Sequence, residues 1–262
     1  MKYKVVILLF ICTVLIGHLQ VVADSQPKMN ELNQLADEAL QLTKFGRFEE
    51  AKNLLEQFGD IFAKEGISSQ TFTMDELRVV TAAHHEALQA LISVTLSHEE
   101  RVKRVTAFRL ATDAITSQYQ PLWSGMEDTI LDAFQNVKNA ALEGDTVLYN
   151  QELNEFLATY SVIQPSLKLD LSVEEVTKLD SKIAYIDRNR SSFSDQKWLK
   201  QLDQLEKDLK ELFAGIDKDD TDPSIWWVIM MTGGIIVTTL SYVSWRQYKG
   251  QKKVKKRKDL ND

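Results

Sequence analysis

Apolar residues recur with the period of an α-helix over most of the chain. Between residues 30 and 215 they return every three or four positions, and no alternating segment of strand length interrupts them. The pattern predicts an all-α fold of about eight helices, at residues 30–44, 48–64, 74–96, 98–119, 122–143, 146–161, 173–189 and 195–214. The connections are mostly two to ten residues long. We therefore expect neighbouring helices to pack antiparallel, in a helical bundle or an array of helical hairpins.

The predicted helix boundaries carry recognisable signals. Three helices begin with the capping box, a Ser or Thr followed three residues later by Glu. The pairs are Thr73 with Glu76, Ser97 with Glu100, and Ser172 with Glu175. Helix ends are predicted at Gly66, Pro121, Gly144, Pro165 and Gly215, because Gly and Pro stop helices readily.

The first predicted helix pair has the packing positions of a tetratricopeptide unit. With Gly46 at the turn, small and large residues fall where the two helices would meet: Leu35, Ala39, Leu42, Phe48, Ala51 and Leu55. Segment 45–51 is the most specific part of this pattern. No second copy follows about 34 residues later, however, and stacked repeats need about three units. We therefore predict a single helical hairpin rather than a peptide-binding repeat array.

A heptad-like seam lies in the last predicted helix of this region. Its positions are spaced by three and four: Trp198, Leu202, Leu205, Leu209, Leu212 and Ile216. The preceding helix has a matching stripe at Val176, Leu179, Ile183 and Ile186. We predict that the two helices pair within one chain, and the alternative is a short parallel coiled coil between two chains.

The most apolar run of the chain is a stretch of 21 uncharged residues at 225–245. About 20 apolar residues in a helix match the hydrocarbon thickness of a bilayer. Trp226 and Trp227 at one end, with Tyr242, Trp245 and Tyr248 at the other, suit the two membrane interfaces. Eight Lys and Arg residues, against two Asp, follow in 246–262. We predict a single-pass cell-membrane protein with a linker at 218–224, a transmembrane helix at 225–245 and a basic cytoplasmic tail at 246–262.

The N-terminus has the features of a secretory signal peptide at residues 1–23. Lys2 and Lys4 precede an apolar stretch, and Val21, Val22 and Ala23 precede Asp24, so we predict cleavage after Ala23. The alternative is an uncleaved anchor, which would make a two-pass protein. The one cysteine, Cys12, lies inside this segment. The predicted mature chain therefore has no disulfide, thiol nucleophile or thiolate metal site.

Charge divides the chain in the same places. Of 31 basic and 38 acidic residues, 21 and 36 fall between residues 24 and 224, giving about −15 there and +6 in the tail. Nucleic-acid binding needs a positive surface, so an acidic domain at 24–217 argues against it. Anionic lipid would attract the tail, whose main predicted role is to fix the membrane topology.

No catalytic, cofactor-binding or metal-binding motif is visible, so we predict a protein that is not an enzyme and carries no cofactor. Nucleophile motifs and phosphate-binding glycine loops are missing, and most acidic residues open helices, where the helix dipole favours them. His84 falls on an apolar stripe, which favours a hydrogen-bonded core or boundary histidine over a metal or proton-sensing site. The basic residues Arg101, Lys103, Arg104 and Arg109 predict a solvated face paired with acids, with an anion or partner site as the alternative.

Small residues form a ridge on the predicted transmembrane helix. Gly234, Thr238 and Ser241 recur on one side of it. Such ridges let two membrane helices approach closely, so they are candidate packing residues for a homodimer. The Gly233–Gly234 pair has the alternative explanation of tolerated flexibility.

One phrase and the order of segments resemble a known family. Gln120, Pro121, Leu122 and Trp123, followed by Met126 and Glu127, are similar to the sporulation protein YpjB family. Chain length, segment 45–51 and the order of signal, helical domain, single anchor and basic tail extend the resemblance over essentially the whole chain. It implies a membrane protein connected with sporulation and supplies no activity or catalytic residue.

The function predicted from these features is partner binding outside the membrane. Candidate contact residues for another membrane or envelope protein are Trp123, Phe45, Arg47 and Phe48. At Trp123 the phrase after Pro121 favours a structural corner between helices over a binding residue. The alternatives are a ligand-sensing domain that acts through a membrane partner and an unrecognised hydrolase. A deep polar pocket would favour these alternatives, whereas a flat or grooved surface near Trp123 or the first hairpin favours partner binding.

Overall fold

The computed structural model describes residues 26–68, 72–117, 120–192, 196–219 and 223–258. Every regular element in these ranges is helical, which confirms the all-α prediction. The predicted signal peptide and the cleavage after Ala23 lie outside the described residues.

Nine α-helices and two short 3-10 turns form the described part of the chain. The helices are α1 (Gln26–Lys44), α2 (Phe48–Ser68), α3 (Met74–Ile92), α4 (His98–Thr116), α5 (Glu127–Glu143), α6 (Thr146–Asp170), α7 (Val173–Arg188), α8 (Gln196–Asp219) and α9 (Pro223–Lys258). The 3-10 turns lie at Leu122–Met126, directly before α5, and at Arg190–Ser192.

Local signals set most of the helix boundaries. Thr73 and Ser172 form complete capping boxes, as predicted, and the Ser97 side chain accepts a hydrogen bond from the backbone of its third helical residue. Gly46 and Gly144 end α1 and α5 with φ of +75° and +74°. Glycine suits both turns because it adopts this left-handed backbone without the strain that a Cβ causes.

Three predicted helix ends are wrong. Helices α2 and α8 continue past Gly66 and Gly215, and α6 continues through Pro165 to Asp170. A proline inside a helix removes one backbone donor and costs about 3 kcal/mol. Helix α6 persists because Ile163 and Leu167, on either side of the proline, are both 0% exposed. Tertiary packing there outweighs the local preference.

The four N-terminal helices share one hydrophobic core. Phe58 of α2 lies at its centre, with ring centroids 4.8 Å from Phe108 of α4 and 5.5 Å from Phe62. The helical hairpin of α1 and α2 buries most of its predicted packing positions: Leu35, Ala39, Ala51 and Leu55 are buried, and Leu42 and Phe48 are partly buried. Helix α4 also packs against α1, α3 and α6, so it connects the two halves of the domain.

The C-terminal helices of the domain meet along the predicted seam. Trp198, Leu202, Leu205 and Leu209 of α8 are buried, as is the whole predicted stripe of α7. Lys182 of α7 forms an ion pair with Asp208 of α8, and Lys138 of α5 pairs with Asp203 of α8 at 2.8 Å, so α8 contacts both α5 and α7 within the chain. A specific pairing of α7 with α8 stays a prediction. At the next turn Phe213 is buried, while Leu212 is only partly so.

The chain divides into two compact units, of which the first ends at Phe213 and the second begins at Ala214. The second unit contains α9. Its segment Val228–Tyr248 is long and apolar enough to cross a membrane, and none of it is buried inside the protein. The predicted linker at 218–224 overlaps both neighbouring helices, because α8 continues to Asp219 and α9 begins at Pro223.

Candidate functional site

The segment after α4 turns a corner around Trp123. Gln120 has φ of +37°, outside the right-handed helical region, and Pro121 precedes the 3-10 turn. Trp123 is 1% exposed; its indole N–H donates to Oδ2 of Asp170 at 2.5 Å, and its ring centroid lies 5.6 Å from that of Phe213. The prediction that Trp123 contacts a partner is therefore wrong, because packing of the corner covers it. The structural corner, which the sequence favours at this position, agrees with these contacts.

Two carboxylates are tied to this corner. Desolvation raises the pKa of Asp170 to about 6, and the negative charge of Asp113 raises it too, while the hydrogen bond from Trp123 opposes the shift. Asp113 accepts the backbone N–H of Leu122 at 2.8 Å. The corner therefore contains a carboxyl group that titrates in the mildly acidic range.

Asp170→Asn should stabilise the protein at neutral pH. The folded-state pKa lies above the unfolded one, so protonation of Asp170 favours folding below about pH 4, and this contribution is lost as the pH rises through about 6. The asparagine oxygen still accepts from Trp123. The carboxylate keeps contact with water, so we expect a gain of about 1 kcal/mol at pH 7. Urea titrations of both proteins from pH 4 to 7 measure it, and parallel stability curves would contradict it.

A buried arginine joins α4 to α1. Arg109 is 8% exposed, and its Nε donates to Oδ1 of Asp37 at 2.6 Å. Its Nη1 reaches Oδ1 of Asn33 at 3.3 Å and Oδ1 of Asp113 at 3.5 Å. The prediction of a solvated face is wrong for Arg109, because its position on α4 faces α1. Arg101 also differs from the prediction of a basic residue paired with an acid. Its guanidinium donates to backbone carbonyls, including that of Leu91 at 2.8 Å.

His84 is a half-buried, hydrogen-bonded histidine, which agrees with the predicted core or boundary position. Its Nε2 lies 2.6 Å from the carbonyl oxygen of Leu55, and its ring centroid lies 5.7 Å from that of Phe58. Burial lowers its pKa, so the neutral ring donates to Leu55. The approach depends on Gly59, since a Cβ there would lie 3.0 Å from the imidazole. Over the described residues, no group of three or more His, Cys, Asp or Glu side chains is placed to hold a metal ion.

The predicted contact residues of the first hairpin lie at one exposed end of the domain. We define the hairpin tip as residues 45–50 with residues 91–94. Phe45 is 78% exposed and Val94 is 95% exposed. Arg47 donates from Nε to Glu50 at 2.6 Å, and Phe48 is half-buried with the Arg101 guanidinium 4.4 Å from its ring centroid. A depression of about 590 Å³, lined by Gly46 to Glu50 and Leu91 to Val94, lies between the two segments.

A second concave surface runs between α3, α4, α6 and α7, and we call it the four-helix groove. Its volume is about 570 Å³, within the usual range of ligand sites. Small and apolar side chains form its floor: Val79, Ala82, Ala83, Ala107, Ala158 and Val176. The groove exists because alanines occupy positions where larger side chains would fill the space between the helices.

Charged residues of both signs surround that floor. They are Arg78, Lys103, Arg104 and Lys168, with Asp75, Glu86, Glu100 and Asp180. Arg104 pairs with Glu86 at 2.7 Å, and Lys103 pairs with Glu155 at 3.1 Å, so this part of the basic stretch is paired with acids, as predicted. The groove surface is thus electrically balanced within a domain of about −15.

Comparison with known proteins identifies the family. The family described as Sporulation protein YpjB (SpoYpjB) matches residues 29–258. The chain belongs to this family. It is also 30% identical to the uncharacterized protein YpjB of Bacillus subtilis (strain 168), over 99% of both chains. No solved structure matches the chain.

The sequence of this YpjB-family protein gave no direct signal for the four-helix groove. The basic stretch at 101–109 was the one clue, since Lys103 and Arg104 line it. Alanines are common in helices, so Ala82, Ala107 and Ala158 became informative only when the structure showed that they line one cavity. Predicting it requires knowing which helices are neighbours.

The predicted packing ridge of the YpjB-family chain lies on the apolar helix α9. Gly234, Thr238 and Ser241 are separated by four and three residues, so they share one side of the helix. The Thr238 hydroxyl donates to the carbonyl of Gly234 at 2.6 Å, which satisfies it within its own helix. Association of two such helices stays a prediction.

Proposed function

We propose that this protein is a membrane-anchored binding protein of sporulating cells, with its helical domain outside the cytoplasm and its basic tail inside. Membership of the sporulation protein YpjB family and the apolar segment Val228–Tyr248 support the setting. The eight positive charges after residue 245 support the orientation.

The hairpin tip is the observation that carries the binding function. Large apolar side chains are costly to expose together, and grouped ones mark interaction surfaces more often than isolated ones do. Phe45 and Val94 project beside a depression, and Ile92 at its edge is 50% exposed. An aromatic side chain next to a depression lined by both apolar and charged residues matches the composition of interface hot spots, which favour aromatic residues and arginine.

The same region accounts for Arg47 and Phe48 in different ways. The Arg47–Glu50 pair is exposed on both sides, so it suits the rim of an interface, where ion pairs add specificity more than affinity. Phe48 is held between Arg101 and His98, whose ring centroid is 5.8 Å away. It supports the tip from below, while Phe45 is the side chain a partner would cover.

A photo-crosslinking amino acid at position 45 should capture a partner in sporulating cells. The matched control carries the crosslinking amino acid in place of Val147, which is 78% exposed, as Phe45 is, but lies at the start of α6. We expect one product of defined mass from position 45, absent from position 147 and reduced at least fivefold by Val94→Ser. Immunoblotting of the full-length protein measures the products. Equal crosslinking from both positions, or none from position 45, would remove the tip as the binding surface.

A further inference from the structure

The four-helix groove contains two charged side chains that its own residues leave unpaired. Asp75 pairs with Arg78, Glu86 with Arg104, and Lys103 with acids outside the groove. Asp180 accepts hydrogen bonds from Tyr160 at 2.7 Å and from Gln164 at 2.9 Å. Among the described residues that line the groove, Glu100 and Lys168 are the charged side chains without an ion pair or side-chain hydrogen bond. One acid and one base are therefore available to an occupant.

These two charges stand at opposite ends of the groove. Lys103 and Glu155 are 3.1 Å apart, which puts their turns of α4 and α6 at the same level. Glu100 lies one turn before Lys103 on α4, whereas Lys168 lies 13 residues after Glu155 on α6. The C-terminal ends of both helices meet at the corner, where Trp123, which follows α4, hydrogen-bonds to Asp170 at the end of α6, so the two helices run in the same direction. The levels of Glu100 and Lys168 are therefore 16 residues apart, or about 24 Å at 1.5 Å per residue. The apolar floor lies between them.

We propose that the four-helix groove binds an extended segment of a partner protein. The segment presents a cationic side chain to Glu100, an anionic side chain to Lys168 and small apolar side chains to the floor between. About seven extended residues cover 24 Å at about 3.3 Å per residue. Charge complementarity at the two ends fixes the register, and burial of apolar side chains against Ala82, Ala107 and Ala158 supplies most of the affinity.

The shape and charges together select this occupant. A compact ligand with one charge would reach only one of two groups about 24 Å apart. A strongly acidic or strongly basic segment would pair with one end and be repelled at the other. Nucleic acid would find only one unpaired base among the described groove residues, Lys168, because Arg78, Lys103 and Arg104 are already paired with acids. A peptide with opposite charges at its two ends satisfies both groups and the floor.

Three capped seven-residue peptides test the proposal on the full-length protein in detergent. All have alternating valine and alanine in positions two to six. One has Lys and Glu at its two ends, the second has Lys at both, and the third has Glu at both. Capping removes the terminal charges. We expect the first to bind about three- to fivefold more tightly than either of the others, with the difference shrinking at high salt. Fluorescence anisotropy of labelled peptides measures the affinities.

Charge reversal in the protein should change which peptide is preferred. Lys168→Glu should favour the peptide with Lys at both ends, and Glu100→Lys should favour the one with Glu at both ends. Both side chains reach solvent, so neither change is expected to unfold the domain. An unchanged order of preference in the two variants would overturn the proposal.

Filling the groove gives an independent control. Ala82→Trp places a large ring over the floor from an exposed position, and Gln89→Trp places the same ring elsewhere on α3. We expect the first to abolish peptide binding and the second to preserve it. Binding that survives Ala82→Trp, or no binding of any peptide to the unmodified protein, would overturn the proposal. These outcomes are separate from the hairpin tip, because crosslinking at position 45 does not depend on the groove.

Discussion

Replacing Trp123 by alanine should lower the free energy of unfolding by about 3–5 kcal/mol, the usual cost of removing a large buried aromatic side chain. Trp123 is 1% exposed, packs against Phe213 and hydrogen-bonds to Asp170. The change leaves a cavity at the corner between α4 and α5 and removes the hydrogen bond that the indole N–H donates to Asp170. Urea titration of the full-length protein in detergent, followed by near-ultraviolet circular dichroism, measures the loss.

Trp123→Phe separates packing from hydrogen bonding at the same position. It keeps an aromatic ring and removes the N–H, so the expected loss is smaller, about 1–2 kcal/mol. If Trp123→Ala left the free energy of unfolding unchanged and abolished the partner crosslink at position 45, Trp123 would be a contact residue after all. Because Trp123 is buried, we expect a large loss of stability from Trp123→Ala and no specific loss of the crosslink.

Arg109→Met should destabilise the protein by about 3 kcal/mol. Removing one partner of a buried ion pair leaves the other charge without compensation. Asp113 is 5% exposed, so its carboxylate would stay buried beside an apolar side chain. The link from α4 to Asp37 and Asn33 of α1 would be lost as well. The same urea titration measures the change, with Arg104→Met as the control, for which we expect less than 1 kcal/mol because its ion pair with Glu86 is exposed.

A second substitution tests the cause of the Arg109 effect. Asp113→Asn removes the carboxylate charge that Arg109→Met leaves unpaired, and it keeps a side-chain oxygen that accepts the backbone N–H of Leu122. If the uncompensated charge dominates, Arg109→Met with Asp113→Asn should recover at least half of the lost stability. Strictly additive losses would show instead that the guanidinium acts through packing and through its contacts with α1.

Helices could be predicted from the sequence where the signal was local. The capping boxes at Thr73 and Ser172, the turn at Gly46 and the helix end at Gly144 agree with the prediction. These signals involve residues within four positions of one another, so a chain reveals them without its fold. Pro165 shows where such local signals fail. A proline by itself favours the end of a helix, but α6 continues because the residues beside Pro165 are buried against residues far away in the sequence.

The candidate sites depended more heavily on tertiary contacts. Phe45 was identified from a motif, and its exposure agrees with a surface role. Trp123 was assigned to the same class from an equally local phrase, yet Asp170 and Phe213 cover it from 47 and 90 residues away. The four-helix groove had no sequence signal beyond Lys103 and Arg104, because its floor is defined by alanines on three helices.

The sequence by itself determined the all-α class, the family, the apolar segment near the C-terminus and most helix starts. The family follows from resemblance to known sequences, and the other features follow from composition, from periodicity or from residues close together in the chain. Only the tertiary structure decided that Trp123 and Arg109 are buried, that α6 continues past Pro165, and that Glu100 and Lys168 stand unpaired at the ends of one groove. The physical reason is that burial and charge pairing depend on distances between helices, and those distances are set by packing of residues far apart in the sequence.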